Sequence, residues 1–205
     1  MPATCDVVVL LSGTGGNLQA MIDSFKDGDH PVRIRAVISN RADAFGLQRA
    51  RDAGIEACVL DHKAYDGREA FDAALIELID TFQPQLVVLA GFMRILTPPF
   101  VEHYAGRMLN IHPSLLPLFP GMATHRQALE AGVTEHGATV HFVTAELDHG
   151  PAVASATVPV LPGDTEESLS ARVLVQEHLL YPRAIRLFID DKLSVEHGQV
   201  RVDPQ

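Results

Sequence analysis

The sequence predicts an α/β protein: an open, mostly parallel twisted sheet flanked by helices, with an antiparallel β extension and a long C-terminal helix. Strand-sized apolar runs alternate with helix-period segments over residues 7–111, the pattern that builds βαβ units around a parallel sheet. The first run enters its helical segment through Ser12-Gly13-Thr14-Gly15-Gly16-Asn17, a glycine-rich turn of the kind found in Rossmann-like, doubly wound sheets. Beyond Gly137 two β-rich runs follow one another directly, and one long amphipathic stretch comes after them.

Residues 7–11 are continuously apolar, as a strand covered on both faces must be, and 17–25 follow as a helix. Residues 33–38 read as the second strand, 45–53 as the second helix and 57–60 as the third strand. After Asp66-Gly67, the residues Phe71, Leu75, Leu78, Ile79 and Phe82 recur at helical spacing until Pro84, which leads into a buried strand over 86–90. A short helix over 98–104 and a strand over 107–111 complete the parallel part. Residues 139–143 and 153–160 read as the appended antiparallel pair, joined through Asp148-His149-Gly150-Pro151. Asp164 reads as an N-cap with Glu167 three residues on, opening a helix that keeps Leu169, Val173, Leu180, Ala184 and Leu187 on one face. Pro182 is expected to bend or split that helix, and 193–195 with 199–202 read as a terminal hairpin.

At 205 residues and 47% apolar composition, the chain can bury a real core. Its longest apolar runs are strand-sized, and Met1-Pro2-Ala3-Thr4-Cys5-Asp6 lacks the basic start of a secretory signal, so a soluble, cytoplasmic protein is expected. A net charge of −10 argues against a general nucleic-acid binder, which needs clustered lysine and arginine. Cys5 and Cys58 cannot make a disulfide framework and read as buried or bystander thiols. The ten histidines form no His-Glu-x-x-His or Cys/His pattern, so no metal is expected.

The densest chemistry lies in Asn110-Ile111-His112-Pro113-Ser114-Leu115-Leu116-Pro117. Residues two apart on a strand share a face, so Asn110 and His112 converge on one space at the strand end, where Pro113 bars continuation. An amide N–H and an imidazolium N–H suit an oxygen that gains negative charge; a turn-capping amide beside a core histidine is the plainer alternative. The glycine turn brings main-chain N–H groups to an anion at a helix N-terminus, or is simply a tight turn. It lacks the Gly-Lys-Ser/Thr of a Walker A loop, and Leu18 stands where a dinucleotide fingerprint requires glycine. Gly91-Phe92-Met93-Arg94-Ile95-Leu96 follows a strand end with apolar side chains and main-chain polar groups suited to a flat heteroaromatic ring. By packing alone, Met93, Ile95 and Leu96 read as core, and Arg68 as a solvated helix residue. Asp148, in Glu-Leu-Asp-x-Gly, is either a turn aspartate or a carboxylate that charges and orients His112. His141 is a supporting hydrogen-bonding residue or a satisfied core residue. Glu177 requires a ligand or a cation if its helix face is buried. Ser114 is no serine nucleophile, since it lacks the Gly-x-Ser-x-Gly elbow and sits beside His112.

Asn-x-His-Pro followed by Ser-Leu-Leu-Pro resembles the active-site segment of folate-dependent formyltransferases, and within them the branch that formylates glycinamide ribonucleotide (GAR). The resemblance runs from Val7 to about Arg186, through Ser12-Gly13-Thr14-Gly15-Gly16-Asn17-Leu18, Leu89-Ala90-Gly91-Phe92-Met93-Arg94-Ile95-Leu96, Thr124-His125-Arg126-Gln127-Ala128-Leu129 and Asp148-His149-Gly150-Pro151. It implies a single formyltransferase domain over 1–205, with a phosphate-binding βα half (1–110) and a catalytic and folate-binding half (111–205). It implies transfer of the formyl group of 10-formyltetrahydrofolate, a co-substrate, to the amine of GAR in de novo purine biosynthesis, without a metal. Asn110, His112 and Asp148 would be the catalytic set, with His141 in support. Gly15, Gly16 and Asn17 would take the GAR phosphate, and Leu174, Val175, Gln176 and Glu177 would lie by the glycinamide substrate. Arg68, Met93, Arg94, Ile95, Leu96, Asn110, Thr144, Ala145, Glu146, Leu147 and Asp148 would face the folate. The implied partners are these small molecules, with neither nucleic acid nor membrane, in a monomer or homodimer.

Two positions depart from the resembled pattern: Ala123 stands where histidine is frequent, and Leu118 where lysine is common. A tRNA formyltransferase would need a further C-terminal domain and a formyltetrahydrofolate deformylase an N-terminal one; neither is expected to fit. A related formyl hydrolase or other formyltransferase, a nicotinamide-dependent oxidoreductase and a non-catalytic nucleotide-binding module are the remaining readings. The failed glycine fingerprint counts against the oxidoreductase.

Overall fold

A computed structural model describes residues 4–28, 30–190, 192–196 and 199–202. The elements run β1 (Cys5–Leu11), α1 (Gly16–Phe25), β2 (Val32–Ser39), α2 (Phe45–Asp52), β3 (Glu56–Val59), α3 (Arg68–Asp80), β4 (Leu86–Leu89), α4 (Pro98–His103), β5 (Met108–His112), α5 (Thr124–Glu130), β6 (Glu135–Phe142), β7 (Ala152–Pro159), α6 (Glu166–Ile189), β8 (Leu193–Glu196) and β9 (Gln199–Val202). A seven-stranded sheet takes the order β3-β2-β1-β4-β5-β6-β7, and β8 and β9 form a separate antiparallel pair. The expected α/β class, mostly parallel with an antiparallel edge and a long C-terminal helix, is the observed one. The chain divides into two compact units, Met1–Leu109 and Asn110–Gln205.

In the first unit β1 pairs in parallel with β2 on one side and β4 on the other, and β2 pairs in parallel with β3. Val8, Val9, Leu10 and Leu11 are wholly buried, because a central parallel strand has both faces covered. The helices follow from the apolar spacing: Phe71, Leu75 and Ile79 of α3 are also wholly buried. A short 3-10 turn at His62–Ala64, capped by Asp61 accepting from the Lys63 N–H, was not legible in the sequence.

In the second unit β6 and β7 pair antiparallel, with a register shift at Val140/His141. Strand β6 begins at Glu135, earlier than expected, because Glu135, His136 and Gly137 already pair with Pro159, Val158 and Thr157. Helix α5 has no counterpart among the expected elements. Two expectations for α6 are corrected. Its N-cap is Thr165, in a reciprocal capping box with Ser168, because Asp164 is taken up by a bidentate pair with Arg172. Pro182 does not split the helix, which runs unbroken over its 24 residues; Pro182 is buried with Tyr181, Ala184 and Ile185, and that packing outweighs the missing main-chain donor. Among the described residues no helix is long and apolar enough to cross a membrane.

Candidate active site

The glycine turn belongs to the first unit, where it leaves β1 and opens α1. Gly15 caps α1 with φ +73°, and a Cβ there would stand 2.7 Å from the Cα of Gly46, so the left-handed turn and the close approach both require glycine. The turn is tied to α2 by the Gly46 N–H donating to the Gly13 carbonyl at 3.0 Å and by Arg49 Nε donating to the Thr14 carbonyl at 2.8 Å. No side chain caps α1, so its first-turn N–H groups, with Gly16 and Asn17 half-buried, face whatever anion occupies the turn.

Residues 91–96 of the same unit are not core. Met93 and Ile95 are 69% and 58% exposed, Arg94 and Leu96 half-buried, which overturns the packing-only reading of Met93, Ile95 and Leu96. The Arg94 guanidinium stacks over the Phe71 ring at 4.6 Å, which leaves its charge without an acidic partner among the described residues. Arg68 is exposed at the start of α3.

In the second unit, Asn110 and His112 project from the same face of β5. Asn110 Nδ2 lies 3.2 Å from His141 Nε2, while His141 Nδ1 lies 2.9 Å from the Phe142 carbonyl. His141 is thus neutral, with Nδ1–H donating to Phe142 and the Nε2 lone pair accepting from Asn110; burial, the largest influence, pushes its pKa down and keeps it so. This hydrogen bond fixes the amide and leaves its second N–H without a partner among the described residues. His112 is buried, with Nδ1 3.5 Å from Asp148 Oδ2 and Nε2 2.9 Å from the Phe119 carbonyl. The Phe119 carbonyl thus lies within hydrogen-bond reach of Nε2, and the Asp148 carboxylate stands at ion-pair distance from Nδ1. Asp148 is buried, accepts from the Gly121 N–H at 2.8 Å, and presents Oδ1 3.9 Å from His141 Nε2. The structure so gathers Asn110, His112, His141 and Asp148 into one cluster, joined by the Asn110–His141 hydrogen bond and by the approach of Asp148 to both imidazoles.

The other named residues of this unit are dispersed. Thr144, Ala145, Glu146 and Leu147 are exposed on the loop ahead of Asp148, and Thr144 Oγ1 donates to the Glu146 carbonyl. On α6, Leu174 and Val175 are exposed, Gln176 is half-buried and Glu177 buried. Ser114 spends its hydroxyl on the Leu118 carbonyl at 2.6 Å. Sequence reasoning missed Thr139, whose Oγ1 donates to the Ser114 carbonyl at 2.8 Å and accepts from the Leu116 N–H at 3.1 Å, so that it clamps the chain leaving His112. Its position two residues before His141 on a strand was the available signal. The Phe119 carbonyl and Gly121 N–H were also missed, and main-chain groups leave no trace in composition.

An open α/β sheet with a glycine anion turn, and an amide, imidazole and carboxylate gathered at a strand end, is the build of a group-transfer enzyme. Comparison narrows the class: residues 5–185 match the Formyl transferase family, and the chain belongs to it. It is 56% identical to phosphoribosylglycinamide formyltransferase of Escherichia coli over 98% of this chain and 94% of that one. Its structure is similar to that of glycinamide ribonucleotide transformylase 1 from Symbiobacterium toebii, with TM-score 0.96 and 51% identity over 98% of this chain and 95% of the other. A formyltetrahydrofolate deformylase from Pseudomonas syringae pv. tomato shares the fold at TM-score 0.91 but is only 29% identical, with this chain covering 66% of it.

Proposed function

We propose that this chain is a phosphoribosylglycinamide formyltransferase, carrying the formyl group of 10-formyltetrahydrofolate to the amine of GAR. The carrying observation is the cluster of Asn110, His112, His141 and Asp148, in which the Asn110 amide spends one N–H on His141. The GAR amine attacks the formyl carbon, a C–N bond forms, and the carbonyl oxygen becomes an oxyanion. The free N–H of Asn110 and the imidazolium of His112 stabilise that oxyanion because they are oriented before reaction. Collapse breaks the bond to N10 of the folate; the attacking amine loses a proton and N10 gains one, with Asp148 holding His112 charged and ordering that movement. For His112 to donate from Nε2, the Phe119 carbonyl must yield its place, so substrate entry displaces a main-chain acceptor.

On this reading residues 1–110 hold the phosphate through Gly15, Gly16 and Asn17, and residues 111–205, together with Asn110 at the boundary, supply the catalytic set. Arg68, Arg94 and the exposed Met93 and Ile95 favour a flat, anionic co-substrate, since exposed apolar side chains beside cations match a pteridine joined to carboxylates. Following formyl-GAR and tetrahydrofolate together, in a mixture of protein, GAR and 10-formyltetrahydrofolate, tests the proposal. Equimolar appearance is expected; tetrahydrofolate and formate without formyl-GAR would make the chain a hydrolase. Asn110→Ala and His112→Ala should each lower kcat by about 10²–10³ with smaller changes in KM. Near-normal turnover in both removes the assignment.

A further inference from the structure

We infer that Ser12 and Asn40 are a positioning pair that sets the main chain of residues 91–96 for the reduced folate, an inference that rests on the function proposed above. Strands β1 and β4 pair up to Leu10↔Leu89, and the ladder continues with the Ala90 N–H donating to the Leu10 carbonyl at 2.9 Å and the Ser12 N–H to the Gly91 carbonyl at 3.0 Å. At that point β1 departs into the glycine turn. The Met93 N–H instead donates to the Ser12 hydroxyl at 2.8 Å, so a side chain supplies the acceptor that the strand no longer provides.

A hydroxyl accepts in a defined direction only if its own proton is committed elsewhere. Ser12 Oγ donates to Asn40 Oδ1 at 2.5 Å, and Asn40 is in turn met by His62, whose Nδ1 either accepts from Asn40 Nδ2 at 3.3 Å or donates to the Asn40 carbonyl at 3.0 Å. Ser12 and Asn40 are 6% and 4% exposed, positions at which polar groups are costly unless every hydrogen bond is made. The segment they hold has little packing of its own, since Met93 and Ile95 point outward. Its other described fastenings are the Arg94–Phe71 stack and the Thr97 N–H donating to the buried Asp72 carboxylate at 2.6 Å. Ser12 therefore governs the stretch between Gly91 and Arg94, where the main chain would meet the heteroaromatic ring.

Ser12→Ala leaves the Met93 N–H without its acceptor, a loss of the size that weakens binding about tenfold. Tetrahydrofolate binding followed by calorimetry, and steady-state kinetics with both substrates, read it out. In Ser12→Ala the dissociation constant of tetrahydrofolate and the Michaelis constant for the formyl-folate co-substrate should both rise about tenfold, while the KM for GAR and kcat at saturation stay within about twofold. Asn40→Ala should move the folate constants in the same direction, the double variant should be no worse than Ser12→Ala within about twofold, and Ser12→Thr, which keeps the hydroxyl, should recover most of the affinity. If Ser12→Ala does not fold, Asn40→Ala carries the same comparison. Folate constants unchanged in a folded variant, or both Michaelis constants and kcat deteriorating together, overturn the inference. Wild-type protein that binds no tetrahydrofolate overturns the functional reading instead.

Discussion

Replacing His136 by glutamine is expected to flatten the acid arm of the stability curve. His136 sits in β6 at 1% exposure, with Nε2 3.2 Å from His125 Nδ1 and the two rings edge to face at 5.2 Å. Burial pushes its pKa from 6.5 down to about 4, helped by the charges of His125 and His112 and opposed by the Pro113 carbonyl. The folded chain thus refuses a proton that the unfolded chain accepts. His136 contributes stability that is complete above about pH 6.5 and is lost as pH falls toward 4; the loss reaches about 2.5 kcal/mol at pH 4.5. Burial lowers the pKa of His125 as well, so its contribution has the same sign. Urea unfolding of wild type and His136→Gln at pH 7 and pH 4.5 measures the difference. The variant should lose about 2.5 kcal/mol less than wild type between the two pH values, whatever its stability at pH 7. Losses equal to within about 0.5 kcal/mol would show that His136 does not titrate in this window and refute the reasoning.

Gly15→Ala should lower Tm by roughly 4–8 °C, corresponding to about 2 kcal/mol, because a Cβ at φ +73° meets the Gly46 backbone at 2.7 Å. In the same variant the KM for GAR should rise more than about tenfold while that for the folate moves little, as kinetics with each substrate varied in turn will show. Asp148→Asn retains the acceptor for the Gly121 N–H but removes the charge beside His112. It should therefore cost about 10² in kcat with Tm nearly unchanged, and a pH–rate profile identical to wild type would tell against Asp148 acting through His112.

The strand–helix alternation was legible because it is written in side-chain periodicity, and residues such as Val9, Leu10, Leu75 and Ile79 are buried where that periodicity placed them. The start of α6 was misread because Asp164 and Thr165 are both competent caps. Arg172, eight residues on, decides between them by claiming Asp164 and holding its carboxyl well below the usual range, a tertiary choice that local sequence does not encode. That Asn110 and His112 share a face of β5 followed from strand geometry alone. The groups that orient them did not, because the Phe119 carbonyl, the Gly121 N–H and the Phe142 carbonyl are main-chain atoms brought in by loop paths rather than by residue type.

Several of the residues singled out by their chemistry depart from the burial or backbone conformation that their residue type favours. Met93 and Ile95 are large apolar side chains left in solvent, and Glu177 is a carboxylate buried on a helix face. Of the four described non-glycine residues with positive φ, three (Phe119, Ala123 and Asp148) lie in the loops around His112, at φ +53°, +56° and +55°. A left-handed backbone at such residues costs about 1–2 kcal/mol each and persists only where surrounding contacts over-determine it. At Phe119 and Asp148 such contacts are present: the Phe119 carbonyl receives His112 and the Asp148 carboxylate receives Gly121. The residue with the left-handed backbone at Phe119 is thus also the one whose carbonyl engages His112 Nε2, and on the function proposed above a substrate oxygen would have to take that carbonyl's place. Two of these three residues fall in the loop over 113–123, whereas β1, β2 and β4 keep ordinary parallel register apart from a single shift at Val7/Val8.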